Sequence, residues 1–223
     1  MASYSVGIQT KKRIFEKCKE LFYENGFDDT SFQDISEALN INKGLLPYHF
    51  GTKNNIAREI LDEFINNQRN AALEVIDTDD QSVATITSLM LFYTLILEDE
   101  KLKRFWVEIA VANVNADIEF WNKEVFLHSI VEADKIDISE EELFTIYCIE
   151  NGMEIEVMKN FAIGLITEPL TKVFRKQYTA TLFLLGLSNE RINDILTRSG
   201  KLASNIRAKR IGYFEVEYEM INN

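Results

Sequence analysis

The sequence predicts an all-helical fold: a small helix-turn-helix unit at the N-terminus and a larger helical unit behind it. Three observations predict this. Only 2 prolines and 9 glycines occur in 223 residues, so few points interrupt a helix. Long stretches of Leu, Ile, Glu, Lys and Ala place apolar residues at helical spacing. Hydrophobic residues at 46% and charged residues at 27% give a balance that buries a core rather than staying disordered. The two units are expected to span residues 1–55 and 56–223.

The first helix is expected from Thr10 to Asn25. There Ile14, Cys18, Leu21 and Phe22 mark one helical face, and Gly26 ends the helix as a left-handed terminator. Ser31 is the next N-cap, with Asp34 three residues on in capping-box spacing. Ile35, Ala38 and Leu39 give the short helix its inner face. Asn40-Ile41-Asn42 makes a tight turn, because Asn tolerates left-handed backbone and Asn42 can cap the next helix. A third helix is expected over Lys43–His49. After Gly51-Thr52 a longer helix resumes near Asn54, with Ile56, Ile60, Leu61 and Phe64 inward. Further helices are expected over 81–98, 101–115, 117–134, 140–165, 168–186 and 188–208. In the last run, "IGYFEVEYEM", Phe214, Val216, Tyr218 and Met220 alternate with glutamates. It reads equally as an extended segment lying on the body and as a frayed tail.

Charge is divided unevenly. The net charge is −12, yet Met1–Ile56 holds seven bases and seven acids, so the whole deficit lies after Ile56. A neutral head with grouped lysines can meet phosphates while the acidic remainder faces away. Cys18 and Cys148, far apart and without a signal peptide, point to reduced thiols in the cytoplasm. The longest uncharged apolar run, from Ser82 to Leu97, stops at Glu98-Asp99-Glu100. It reads as a buried core helix, and no membrane partner is expected. His49 and His128 are the only histidines, and no phosphate loop, metal-ligand motif or Ser-His-Asp arrangement stands out. The expectation is a non-enzyme without cofactor or metal.

One stretch carries the functional reading. Residues 38–56, "ALNINKGLLPYHFGTKNNI", crowd Gly44 and Pro47 among bulky apolar side chains. The run Ser31-Phe32-Gln33-Asp34-Ile35, then Ile41-Asn42-Lys43-Gly44, then Tyr48-His49-Phe50, then Lys53, resembles the DNA-binding domain of TetR-type transcriptional regulators. The resemblance covers roughly residues 8–60. It implies a recognition helix in the major groove of a double-stranded DNA operator, with Leu46 and Phe50 pinning it onto Ile35 and Leu39. DNA contacts are then expected from Ser31, Gln33, Lys43, Gly44, Leu45, Tyr48, His49 and Lys53. Lys11-Lys12-Arg13 open the first helix and read either as a backbone clamp or as a basic tail. Pro47 departs from the family, which commonly has Tyr there, so that phosphate contact cannot be carried over. A kinked or 3₁₀-like segment is expected at Pro47.

For the larger unit the resemblance implies a homodimer that binds an unknown small-molecule effector and acts as a repressor released from a palindromic operator. The helix "FTIYCIENGMEIEVMKNFAIGL" is apolar on nearly all sides yet carries Glu150 and Glu154 one turn apart. These acids, with Asn151 and the walls Trp106, Phe120, Trp121, Tyr147 and Met153, form a candidate pocket for a cationic or hydrogen-bonding ligand; a solvent-facing or Lys/Arg-paired edge is the plainer reading. Leu170, Val173, Phe174, Thr181, Leu184 and Leu185 form one apolar stripe. Ile192, Ile195, Leu196, Leu202 and Ile206 form another. Both are expected at a four-helix dimer interface, against the alternative that they pack within one subunit. A second function class stays open: an acidic helical interaction protein whose helix-turn-helix is structural and whose partner is another protein.

Overall fold

In a computed structural model, the described residues are 2–112, 114 and 121–221. Among them are ten helices and one two-stranded sheet. The expected pocket wall Phe120 lies outside the described residues, as does the side chain of Trp121.

The head consists of α1 (Ala2–Glu24), α2 (Phe32–Leu39) and α3 (Leu45–Phe50). Local chemistry sets its breaks. Gly26 takes φ 103° just past α1, and Asn40 takes φ 51° as the C-cap of α2. Ser31 and Asp34 close a capping box at the start of α2, each satisfying a backbone N–H that the first helical turn leaves open. Ile14, Cys18, Phe22, Ile35, Leu46 and Phe50 are all buried in one core. Burial also raises the Cys18 thiol to about 12, so it packs as an apolar group.

From the head, α4 (Lys53–Val75) runs unbroken into the body. There α5 (Gln81–Glu98) is surrounded by α4, α6 (Glu100–Val111), α7 (Trp121–Asp134) and α10 (Asn189–Ala203). It is long and apolar enough to cross a membrane, but 67% of it is buried within the fold, as a core helix must be. α8 (Glu140–Ala162) and α9 (Leu170–Leu184) complete the body.

The apolar stripes expected at a dimer interface belong largely inside the subunit. Leu170, Phe174, Thr181, Leu185, Ile192, Ile195 and Leu196 are all buried in the single chain. Val173 and Leu202 are half-buried, Ile206 is buried, and Leu184 alone of the eleven stripe residues is exposed, at 41%. The reason is α10: its stripe lies on α5, where the Ser199 hydroxyl donates to the Val83 carbonyl at 3.1 Å. Arg191 fixes the pairing from its end, donating to Asp134 at 2.6 Å and to Asp80 at 2.8 Å.

The C-terminal run is a hairpin, β1 (Ile206–Gly212) antiparallel to β2 (Glu215–Met220). The last helix therefore stops at Ala203 rather than reaching 208, and Ile206 is a strand residue, not part of a helical stripe. The hairpin lies against α4, where the Tyr218 hydroxyl donates to Gln68 at 3.1 Å. At its tip Phe214 takes φ 57° and is held among Tyr23, Phe64 and Phe105.

Candidate nucleic-acid interface

The outward face of the head is built by α2, the turn after it, and α3. The Asn42 side chain accepts from the Gly44 N–H at 2.8 Å, so that N–H is already used. Leu45 and Leu46 close bonds to Asn42 and Lys43, three residues back. These bonds belong to the entry turn rather than to Pro47, which lies within the α-helix α3; proline is tolerated because it sits in the first turn of α3, where a missing N–H costs no helical bond.

Leu46 and Phe50 face inward, 0% and 4% exposed, and anchor the helix. On the opposite side Tyr48 is 80% exposed, its ring edge-on to His49 at 4.9 Å. His49 and Leu45 are half-buried; Lys43 and Gly44 are exposed. On α2, Ser31 and Gln33 are also exposed. Ser31 donates its hydroxyl to Asp34 at 2.6 Å, and Gln33 donates to Glu37 at 2.5 Å. One N–H of the Gln33 amide is therefore engaged by Glu37, and its second N–H and carbonyl remain for a base.

One expected cationic contact, and one lysine of the basic run on α1, are turned elsewhere. Lys53 donates to the Phe27 carbonyl at 2.7 Å and lies 4.2 Å from the Phe27 ring centre. Its ammonium ties α4 to the α1–α2 loop instead of standing free at a helix N-terminus. Lys11 pairs with Glu59 on α4 at 3.1 Å. Lys12 and Arg13 are exposed on α1, which begins well before them, so they neither open a helix nor form a tail.

The head is locked to the body through α6. Arg104 donates to the carbonyls of Tyr23 and Glu24 at 2.9 and 3.0 Å, satisfying the end of α1. Glu108 accepts from the N–H groups of Phe27 and Asp28 at 2.6 and 3.3 Å. Burial raises the Glu108 carboxyl above its usual range, and these two hydrogen bonds only partly offset that. Gly26 is needed here twice over, for its positive φ and because a Cβ would stand 2.9 Å from the Glu108 carboxylate. Sequence reasoning missed this clamp, since Arg104 and Glu108 look like ordinary surface charges four apart.

Inside the body, Glu150 and Glu154 are 5% and 1% exposed. Gln177 donates to Glu150 at 2.9 Å, and the Tyr93 hydroxyl hydrogen-bonds Glu154. Burial, then the negative charge of the glutamates, pushes Tyr93 and Tyr178 far above the usual phenol range. Four further buried polar atoms here have no hydrogen-bond partner among the described residues: Trp106 Nε1, Gln177 Oε1, Tyr178 Oη and Thr181 Oγ1. Of the expected pocket residues, Trp106, Tyr147, Glu150 and Glu154 are buried, while Asn151 and Met153 are half-buried. Met153 lines a shallow groove between α8 and α9 instead. The plainer reading of the glutamates, as a solvent-facing edge, is overturned by their burial. Gln177, Tyr178 and Thr181 were missed as a polar group; their signal is polar residues at inward positions of α9.

Comparison with known proteins bears on the head and on the fold. Residues 14–60 match the family model described as bacterial regulatory proteins, tetR family. The biofilm operon icaADBC negative transcriptional regulator IcaR of Staphylococcus epidermidis is 29% identical over 117 residues, which are 52% of this chain and 62% of that protein. IcaR of Staphylococcus aureus strain Newman is 35% identical over 60 residues, 26% of this chain and 32% of that protein. The chain thus spans less than two thirds of the curated relatives it matches. Among solved structures, RolR in complex with resorcinol aligns with TM-score 0.65 at 20% identity, covering 87% of this chain and 96% of RolR. RolR without ligand aligns with TM-score 0.59 at 19% identity, over 83% of this chain and 96% of RolR. The shared architecture extends through head and body.

Proposed function

We propose that this chain, whose residues 14–60 match the tetR family of bacterial regulatory proteins, is a ligand-responsive transcriptional repressor of that family. Residues 1–55 bind operator DNA, and residues 56–223 bind the effector and dimerise. It works in the cytoplasm, where its operator is. The observation that carries this reading is the presentation of α3, buried through Leu46 and Phe50 and offering Tyr48 at 80% exposure on its other side. A helix fixed from behind and bare in front is what a major groove admits. Tyr48, His49 and Lys43 make the central contacts, supported by Ser31, Gln33, Gly44 and Leu45, while Lys53 has a structural role. The repressing sense is favoured by the IcaR proteins, named as negative regulators.

The effector completes the buried polar group around Glu150 and Glu154, where Trp106 Nε1, Tyr178 Oη and Thr181 Oγ1 lack partners among the described residues. RolR, of like fold, holds a small phenol, resorcinol. Dimerisation uses the outer face of α8 and α9, where Phe144, Ile149, Phe183 and Leu184 remain exposed. Two such helix pairs related by a twofold axis form a four-helix interface. A mobility-shift titration with the duplex upstream of the chain's own gene tests the reading, alongside sedimentation of free protein. Expected are a dimer and one dimer per palindromic site. A monomer that shifts no duplex would favour a helix-turn-helix serving a protein partner.

A further inference from the structure

A cavity of about 590 Å³ opens between α5, α9, the end of α10 and the base of the hairpin. Its size suits a small organic ligand. The wall is aliphatic, from Met90, Leu91, Ala203, Ile206, Ala208 and Ile221. The floor is Tyr93, Phe174 and Tyr178, with Tyr93 and Phe174 stacked at 3.7 Å; these rings stand between the cavity and the buried glutamates. Gly200 also lines the space, and a Cβ built there meets nothing within 4 Å.

The rim is charged. Arg175 is exposed and makes no ion pair among the described residues, whereas Arg207 shares a surface pair with Glu219. Guanidinium groups favour planar carboxylates, which accept two parallel N–H bonds. Glu98 lies on the same rim and selects against a second negative charge.

The hairpin joins this cavity to the head. At its base Ile206, Ala208 and Ile221 form cavity wall, and the Ile221 N–H donates to the Asn205 carbonyl at 2.8 Å. At its tip the Arg210 guanidinium lies 4.7 Å from the Tyr23 ring centre on α1 and 3.5 Å from Asp99. Glu215 stands 3.6 Å from Lys19, also on α1. One pair of strands thus touches the cavity at one end and the head helix at the other.

We propose that this cavity binds an amphipathic monocarboxylate, with its acyl chain along the aliphatic wall and its carboxylate on Arg175 and Arg207, and that the hairpin transmits its occupancy to α1. The transmission rests on the DNA-binding reading above; the site does not.

The test is calorimetric titration of the full chain with decanoate below its micellar range, with decylamine and decanol as comparators. Decanoate is expected to saturate one site per chain, and the two comparators to bind at least about tenfold more weakly. Gly200→Leu, which fills open space and improves helix propensity, and Arg175→Glu should each weaken decanoate binding by about tenfold or more with unchanged circular dichroism. No saturable decanoate binding, undiminished binding by Gly200→Leu, or equal binding of the amine overturns the site. For transmission, decanoate should change duplex affinity by about five- to tenfold in the unaltered chain. Arg210→Gln should bind decanoate normally yet lose most of that change; an unaltered change overturns the hairpin route. If decanoate binds as expected and the chain holds no duplex, the DNA-binding reading fails and the site stands.

Discussion

Head and body place their polar groups in opposite ways. In the head, Lys43, Tyr48 and Gln33 face outward over a core of Ile14, Phe22, Ile35 and Leu46. Its buried hydroxyls Thr30 and Ser36 are satisfied locally, Thr30 by the Gly26 carbonyl at 2.7 Å and Ser36 by the Gln33 carbonyl at 2.8 Å. In the body, Glu150, Glu154, Gln177 and Tyr178 face inward, and the Gln177 carbonyl and Tyr178 hydroxyl lack partners among the described residues. Low dielectric makes every such group costly when incomplete and effective when completed. The head works through what it displays on a rigid support; the body holds its chemistry inside, where a ligand's hydrogen bonds change the most.

The contrast can be broken first at the anchor. Leu46→Ala removes a fully buried side chain and should destabilise the head by about 2–5 kcal/mol, read by urea denaturation, with loss of duplex binding. A body charge comes next. Hydrogen bonds from Arg191, against the opposing effect of burial, hold the Asp80 carboxyl at about 2, below its ordinary 3.8. Between pH 4 and 2 the unfolded chain therefore binds a proton that the folded chain does not. The ion pair's contribution, about 2 kcal/mol, is fully present above pH 4 and is lost as pH falls through that window. Acid unfolding of Asp80→Asn should lack this step.

A subtler distinction separates two lysines of the head. Lys43→Gln should reduce the slope of log affinity against log salt by about one without altering stability. Lys53→Gln should leave the slope intact and lower the melting temperature, because its ammonium serves Phe27. The reverse pattern would exchange their roles. The smallest effect is expected inside the body. Tyr178→Phe deletes a buried hydroxyl that has no partner among the described residues, so stability should hold or rise by up to about 1 kcal/mol. A clear loss would show that the hydroxyl is already satisfied.

How far the sequence discloses this molecule depends on how local the physics is. Caps and terminators were readable because Ser31, Asn40 and Gly26 act within four residues of themselves. The hairpin was only half readable. Glutamate alternation marked β2, but Ile206, Arg207, Lys209 and Arg210 are compatible with a helix and hid its partner. The two-residue turn is Tyr213-Phe214, without the Asn-Gly pattern that signals such turns. Phe214 tolerates its left-handed backbone only through the aromatic cluster around it, which is a tertiary effect. The stripes on α9 and α10 showed that a face was buried, not against what. Periodicity cannot tell a neighbouring helix from a second subunit. The side of α3 that faces outward was legible for the same local reason as the caps, whereas the fate of Lys53 depended on a loop 26 residues earlier.

The central claim is that α3 is displayed for DNA, and Tyr48 tests it most directly. Fluorescence anisotropy of a labelled palindromic duplex from the upstream region would be titrated with wild-type chain and with Tyr48→Ala across a salt series. Wild-type affinity should fall steeply with salt, and Tyr48→Ala should bind about tenfold more weakly at every salt with an unchanged melting temperature. Equal affinities for the two proteins, or a wild-type affinity indifferent to salt, would contradict the account.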